Sequence, residues 1–292
     1  MSNNKEEIRR QRRLQNRRRV RRQRIAVAIF MAVILAMIVF LIIRFMNKPD
    51  PETVIDNPAP PIEEVIPPVE TPPVELTAQE KKQYVLDHPE EYTEGLIGFM
   101  NNYDQVIDYV YHYKDRDSIS ATEAVTDAKT GTAFPLYIQW DARWGYEEYG
   151  ESLIGIAGCG PTTLAMAYEG LTGKTDQTPS TICDISEQNG YYVEGSGTTW
   201  NLITKGVYDI GLTSQEIPLY ESKLVEELQK GSPIICNVGP GDFTQGGHYI
   251  LVIGYKDGKF MINDPNSIEN SNKLWEYSVL QPQIKNLWAI GK

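Results

Sequence analysis

Apolar and polar positions divide the chain into four regimes. The first is a run of nineteen residues without a charge, "IAVAIFMAVILAMIVFLII", from Ile25 to Ile43. At about 1.5 Å per residue a helix of that length reaches about 28 Å, the thickness of a bilayer core, so the run predicts one transmembrane helix over 25–43. The second, residues 49–76, has no apolar period. It holds nine of the chain's eighteen prolines interleaved with acids. Proline favours the extended polyproline form and like charges repel, which predicts a stalk of about 85 Å when fully extended.

Helical spacing appears in the third regime, residues 77–125. Thr77 and Glu80 fit a capping box, Asp87 or His88 before Pro89 suits a second start, and "EGLIGFM" and "DQVIDYVYHY" carry apolar residues three and four apart. These features predict a small helical region of three short helices. The fourth regime, residues 131–292, mixes periods. Helices are expected over Gly160–Gly170, Pro179–Gln188, Thr198–Ile210 and Glu221–Lys230, with Gly190, Gly211 and Gly231 as C-caps. The short β-rich runs "PIICNV", "HYILVIGY", "FMIND" and "NLWAIG" follow with turn residues between them. A helical half followed by an antiparallel sheet is an α+β design.

Charge changes the picture at the ends. Residues 1–24 hold ten arginines, Lys5 and two glutamates, whereas beyond Lys48 there are 15 basic against 37 acidic residues. An arginine block directly before an apolar span places that side in the cytoplasm and the rest of the chain outside. "RFMNKPD" after the span lacks the small residues of a cleavage site, so the span reads as an uncleaved anchor. The rival reading of the block, a nucleic-acid arm, is the weaker because of its position against the span, and no nucleic-acid partner is expected.

Candidate chemistry concentrates on one cysteine. The chain has three histidines and no HExxH or paired CxxC, and no metal or organic cofactor is expected. His88 and His112 fall in the helical region and read as packing or solvated groups. Cys159, between Gly158 and Gly160 and before Pro161, should sit at a helix N-terminus, where the helix dipole favours a thiolate. The flanking glycines would leave room for a substrate backbone. His248 opens "HYILVIGY" after "GPGDFTQGG", at the mouth of a buried strand facing a cleft. Asn263 or Asp264 in "FMIND" could orient its imidazole, and because adjacent strand residues point to opposite faces only one can serve. A two-residue turn at Asp257–Gly258 would leave Asp264 on the wrong face. A three-residue loop of Lys256, Asp257 and Gly258, with Gly258 as a left-handed bulge, would set Asp264 level with Ile250 on the side of His248. Cys183 and Cys236 read as packed free thiols, although an exported chain could pair them.

"QWDARWG", "GCGPTTLAM", "GPGDFTQGGHYILVIGY" and "INDPNS" together resemble the free-standing bacterial branch of the double-glycine leader peptidases, family thirty-nine of the papain-like cysteine peptidases, whose other members are fused to bacteriocin exporters. The resemblance covers about Pro135 to the C-terminus, and "LDHPEEYTEGLIGFMNN" resembles the segment preceding that domain in such proteins. It implies a papain-like fold with Cys159 as nucleophile, His248 as base, Asp264 as orienter and Gln139 as the oxyanion-hole side chain. Gln139 stands twenty residues before Cys159, so a fold-back loop is required. The expected protein is a single-pass, membrane-anchored extracytoplasmic peptidase or amidase of the bacterial cell membrane, acting on surface proteins or cell-wall peptides. The alternatives are a catalytically silent binding module on the same fold and a membrane scaffold working through its arginine-rich tail.

Overall fold

The computed structural model describes residues 75–119 and 132–292. The expected tail, span, nearly all of the stalk and the end of the helical region lie outside those residues. Among the described residues no helix is long and apolar enough to cross a membrane.

The helical region is built as its caps dictate. Helix α1 (Ala78–Asp87) starts at Thr77, whose hydroxyl accepts from the Glu80 amide while Glu80 accepts from the Thr77 amide at 2.8 Å. Pro89 opens only a single 3₁₀ turn. The next helix, α2 (Glu94–Asn102), waits for Thr93, whose hydroxyl accepts from the Leu96 amide. Helix α3 (Ile107–His112) completes a small core of Val85, Leu96, Met100, Val106 and Val110, against which Leu153 of the following domain also packs. Threonine has a side-chain acceptor for the orphan amides of a first turn, whereas the preceding histidine makes no capping bond.

The domain from residue 132 is a mixed helix and antiparallel sheet fold. After two paired stubs, β1 (Glu148–Tyr149) and β2 (Ser152–Leu153), come α4 (Ile154–Ala157), α5 (Cys159–Thr172) and α6 (Pro179–Gln188). A second paired stub follows, β3 (Tyr192–Val193) and β4 (Gly197–Thr198), then edge strand β5 (Thr213–Glu216) and α7 (Glu221–Gln229). The last third supplies β6 (Ile234–Val238), β7 (His248–Lys256), β8 (Lys259–Asn263), α8 (Ile268–Ser271), β9 (Leu274–Trp275), α9 (Tyr277–Leu280) and β10 (Ile284–Gly291). Six strands form one sheet in the order β5-β10-β6-β7-β8-β9, every pairing antiparallel.

Alternation along β7 divides the core in two. Tyr249, Leu251 and Ile253 pack with Leu164, Ala167 and Ile182 of α5 and α6, while Ile250 and Val252 pack with Leu224 of α7 and Leu280 of α9. The sheet is therefore covered on both faces, which explains why "HYILVIGY" has no polar alternation.

Three sequence expectations are corrected. Helix α5 does not stop at Gly170 but runs to Thr172, with Gly173 at φ 70° as its left-handed cap. A Cβ on Gly170 would lie 1.9 Å from the Phe134 ring, so that glycine serves packing within the helix. The helix expected from Thr198 begins later, as a π-helical stretch Leu202–Gly206 running into Val207–Asp209, because Thr198 is paired with Tyr192. The β7–β8 turn is also shorter than expected. Lys256 pairs with Lys259 across a two-residue turn in which Asp257 and Gly258 both have positive φ, 53° and 76°. The extra residue sits within the strand instead. Val252 pairs with Ile262 and Gly254 with Met261, so Ile253 forms the bulge. Leu251 then faces Asn263, and the next residue, Asp264, comes level with Ile250.

Candidate active site

Cys159 is the first residue of α5, half-buried at the helix tip. Its neighbours Gly158 and Gly160 leave space, but the chain itself fills it. A Cβ on Gly158 would lie 2.5 Å from the Ile154 carbonyl oxygen, and one on Gly160 2.8 Å from the Thr198 methyl. The room expected for a substrate backbone is thus taken by α4 and by the β3–β4 hairpin, which press against the helix tip.

His248 begins β7 at the end of the sheet beside this tip. Its Nε2 bonds Asp264 Oδ1 at 2.7 Å, and its ring also interacts with the Cys159 thiol. With Nε2 engaged by the carboxylate, Nδ1 is the nitrogen left for sulfur. Burial of the ring opposes its charge, yet Asp264 and then Cys159 outweigh that and push the imidazole up to about 10. Asp264 is fully buried and is braced by the turn "DPNS": its Oδ1 also accepts from the Asn266 amide at 2.9 Å, its Oδ2 from Asn270 Nδ2 at 2.9 Å, and its own amide donates to Ser271 Oγ at 2.8 Å. Asn263, the other candidate, donates to the Pro135 carbonyl at 2.6 Å.

Gln139 arrives by the required fold-back. Its amide donates to the Pro265 carbonyl, and Trp140 Nε1 donates to the Asn266 carbonyl, lacing the segment to the end of β8. From there its Nε2 donates to the carbonyls of Gly155 at 2.8 Å and Ile156 at 3.2 Å, just ahead of Cys159. Gln139 is buried, and its Oε1 has no protein partner.

A cavity of about 330 Å³ opens beside Cys159, walled by Ser152, Tyr192, Ser196, Asn237, Gly247 and Tyr249 among others. A second, of about 480 Å³, shares Glu151, Ser152 and Ile156 with it and is also lined by Thr93, Glu94, Gly95 and Tyr113 of the helical region. Among the described residues no cluster of side chains is arranged to hold a metal ion.

The remaining candidates are structural. His88 stacks on Tyr84 with centroids 4.1 Å apart, and His112 meets Tyr111 edge-on at 5.0 Å. Cys183 and Cys236 are free and buried in the two opposite cores, where burial pushes both thiols up. Sequence reasoning missed Asn266, Asn270 and Ser271. Their signal was the density of turn and cap residues in "NDPNSIENS", which marks a tightly bonded loop without saying what it bonds.

A model of the Peptidase_C39 like family matches residues 132–290. Among solved structures the chain is similar to the peptidase domain of Streptococcus ComA, described as a bi-functional ABC transporter involved in a quorum sensing pathway; identity is 22%, coverage 46% of this chain and 89% of that domain, and the TM-score 0.36. A protein from Bacillus anthracis described as a C39-like peptidase is 14% identical over 47% of this chain and 89% of its own, with a TM-score of 0.33. No curated protein matches.

Proposed function

This chain belongs to the Peptidase_C39 like family, and from that premise we propose that it is a cysteine peptidase or amidase held at the outer face of a bacterial cell membrane. Family membership supports a peptidase-type hydrolase. The free-standing, membrane-anchored form rests on the apolar run 25–43, the arginines before it and the proline-rich stalk after it. The substrates of such an arrangement are surface proteins or cell-wall peptides.

In this reading His248 takes the Cys159 proton through Nδ1, and the thiolate attacks the scissile carbonyl. Imidazolium then protonates the leaving amine, and water, deprotonated by the same ring, releases the acyl group. Asp264 holds the ring in the orientation that presents Nδ1 to sulfur. The Cys159 backbone N–H and the Gln139 side chain complete an oxyanion hole, one Gln139 N–H leaving its carbonyl acceptor as the tetrahedral oxygen forms. The observation that carries the proposal is the 2.7 Å bond between His248 and Asp264 beside a thiol at a helix tip.

Mass-spectrometric mapping of iodoacetamide labelling tests it. Cys159 should alkylate faster than the buried Cys183 and Cys236, and Cys159→Ala should abolish hydrolysis of a peptide library. Equal labelling of all three cysteines in the folded protein defeats the nucleophile assignment and leaves a silent binding module.

A further inference from the structure

We infer that Asn270 is a positioning residue of the site, fixing the Asp264 carboxylate so that Oδ1 stays on His248. The inference rests on the Cys159, His248, Asp264 reading and extends it by one residue.

A carboxylate bonded through one oxygen can still rotate about its Cα-side bonds and exchange that oxygen for the other. Here three N–H groups converge on it from separate elements. Oδ1 takes His248 Nε2 at 2.7 Å and the Asn266 amide at 2.9 Å, and Oδ2 takes Asn270 Nδ2 at 2.9 Å. Loss of the third donor frees the plane of the carboxylate and leaves Oδ2 of a buried anion without that charge-assisted bond.

Asn270 is itself held on both sides. Its amide donates to Ser267 Oγ at 3.1 Å and its carbonyl accepts from Trp275 Nε1 at 3.0 Å. Its Nδ2 also approaches the Asp242 carbonyl at 3.5 Å, in the loop that leads into His248. The side chain therefore spans from the orienting carboxylate to the loop delivering the base. Among the described residues, the ionisable groups that act on the His248 ring are Asp264 and Cys159.

The test uses the full chain in detergent and needs no substrate. Alkylation of Cys159 by iodoacetamide is measured from mildly acidic to strongly alkaline pH in the wild type, Asn270→Ala, Asn270→Asp and His248→Ala, alongside thermal unfolding. Asn270→Ala should slow alkylation near neutrality about tenfold, because a looser carboxylate holds the imidazolium less firmly. Asn270→Asp keeps the shape but sets a second carboxylate against the first. It should be slow at neutral pH and recover as pH falls and one proton is shared between the two. An Asn270→Ala profile that overlays the wild type overturns the inference, as does an Asn270→Asp profile that parallels Asn270→Ala at every pH. An unchanged rate in His248→Ala overturns the triad itself, a result distinct from either.

Discussion

His248 carries a proton because two neighbours outweigh its burial. The raised value, about 10, means that the ring stays cationic through neutrality. In Asp264→Ala, where burial is opposed by Cys159 alone, the imidazole should lose its proton at lower pH, as read from the ring resonances by NMR, with little change in fold. The same shift bears on stability. A group whose folded value lies above its unfolded one of 6.5 stabilises fully below that value and loses the contribution as pH rises through about 10, so chemical unfolding should become easier across that window. At this scale Cys159, His248 and Asp264 were legible because each has a local signature: glycines and a proline at a helix start, and histidine or aspartate bounding an apolar strand. Gln139's partners were not, since backbone carbonyls leave no mark in side-chain pattern. Gly158 and Gly160 were noticed but misread, because a glycine announces a close approach without naming what approaches.

Most helices and the four long strands were readable from period and caps, as α6 and β7 show, whereas the β-bulge was not. Both the expected loop and the observed hairpin bring Asp264 level with Ile250, but the extra residue is Ile253 rather than a turn residue. Ile253 is apolar and buried like its neighbours, so nothing in composition distinguishes it. Its location changes what mutation should do. Gly258→Val forces a β-branched residue to φ 76° and should cost about 1–2 kcal/mol in thermal or denaturant unfolding, while the register and His248–Asp264 pairing remain, because the bulge lies elsewhere. Deletion of Ile253 should spare the pairing as well: the ladder straightens with Val252 still opposite Ile262 and Asp264 still level with Ile250, so Cys159 alkylation should keep its dependence on His248.

The helical region and the domain form one compact unit, joined through a tyrosine. Tyr109 stacks on Tyr146 at 4.6 Å and donates to the Gly145 carbonyl at 2.6 Å, while Gly155, whose carbonyl accepts from Gln139, lacks a Cβ that would meet the Tyr109 hydroxyl at 2.3 Å. Tyr109→Phe should lower stability by about 1 kcal/mol in thermal unfolding, since it leaves the buried Gly145 carbonyl without that donor. This docking was invisible in the sequence, where the tyrosine reads only as one apolar position of a short helix. Strand order was invisible for a related reason: local patterns reveal strands but not their neighbours. Strand β10 follows every other strand in the chain yet lies between β5 and β6, and it alone links β5 to the rest of the sheet. A polypeptide delivered N-terminus first thus emerges with a gap between edge strand β5 and the rest of its sheet. The histidine strand β7 gains its supported neighbour only when residues 284–291 arrive to fill that gap. Nascent chains and fragments cut short of β10 should accordingly be inert.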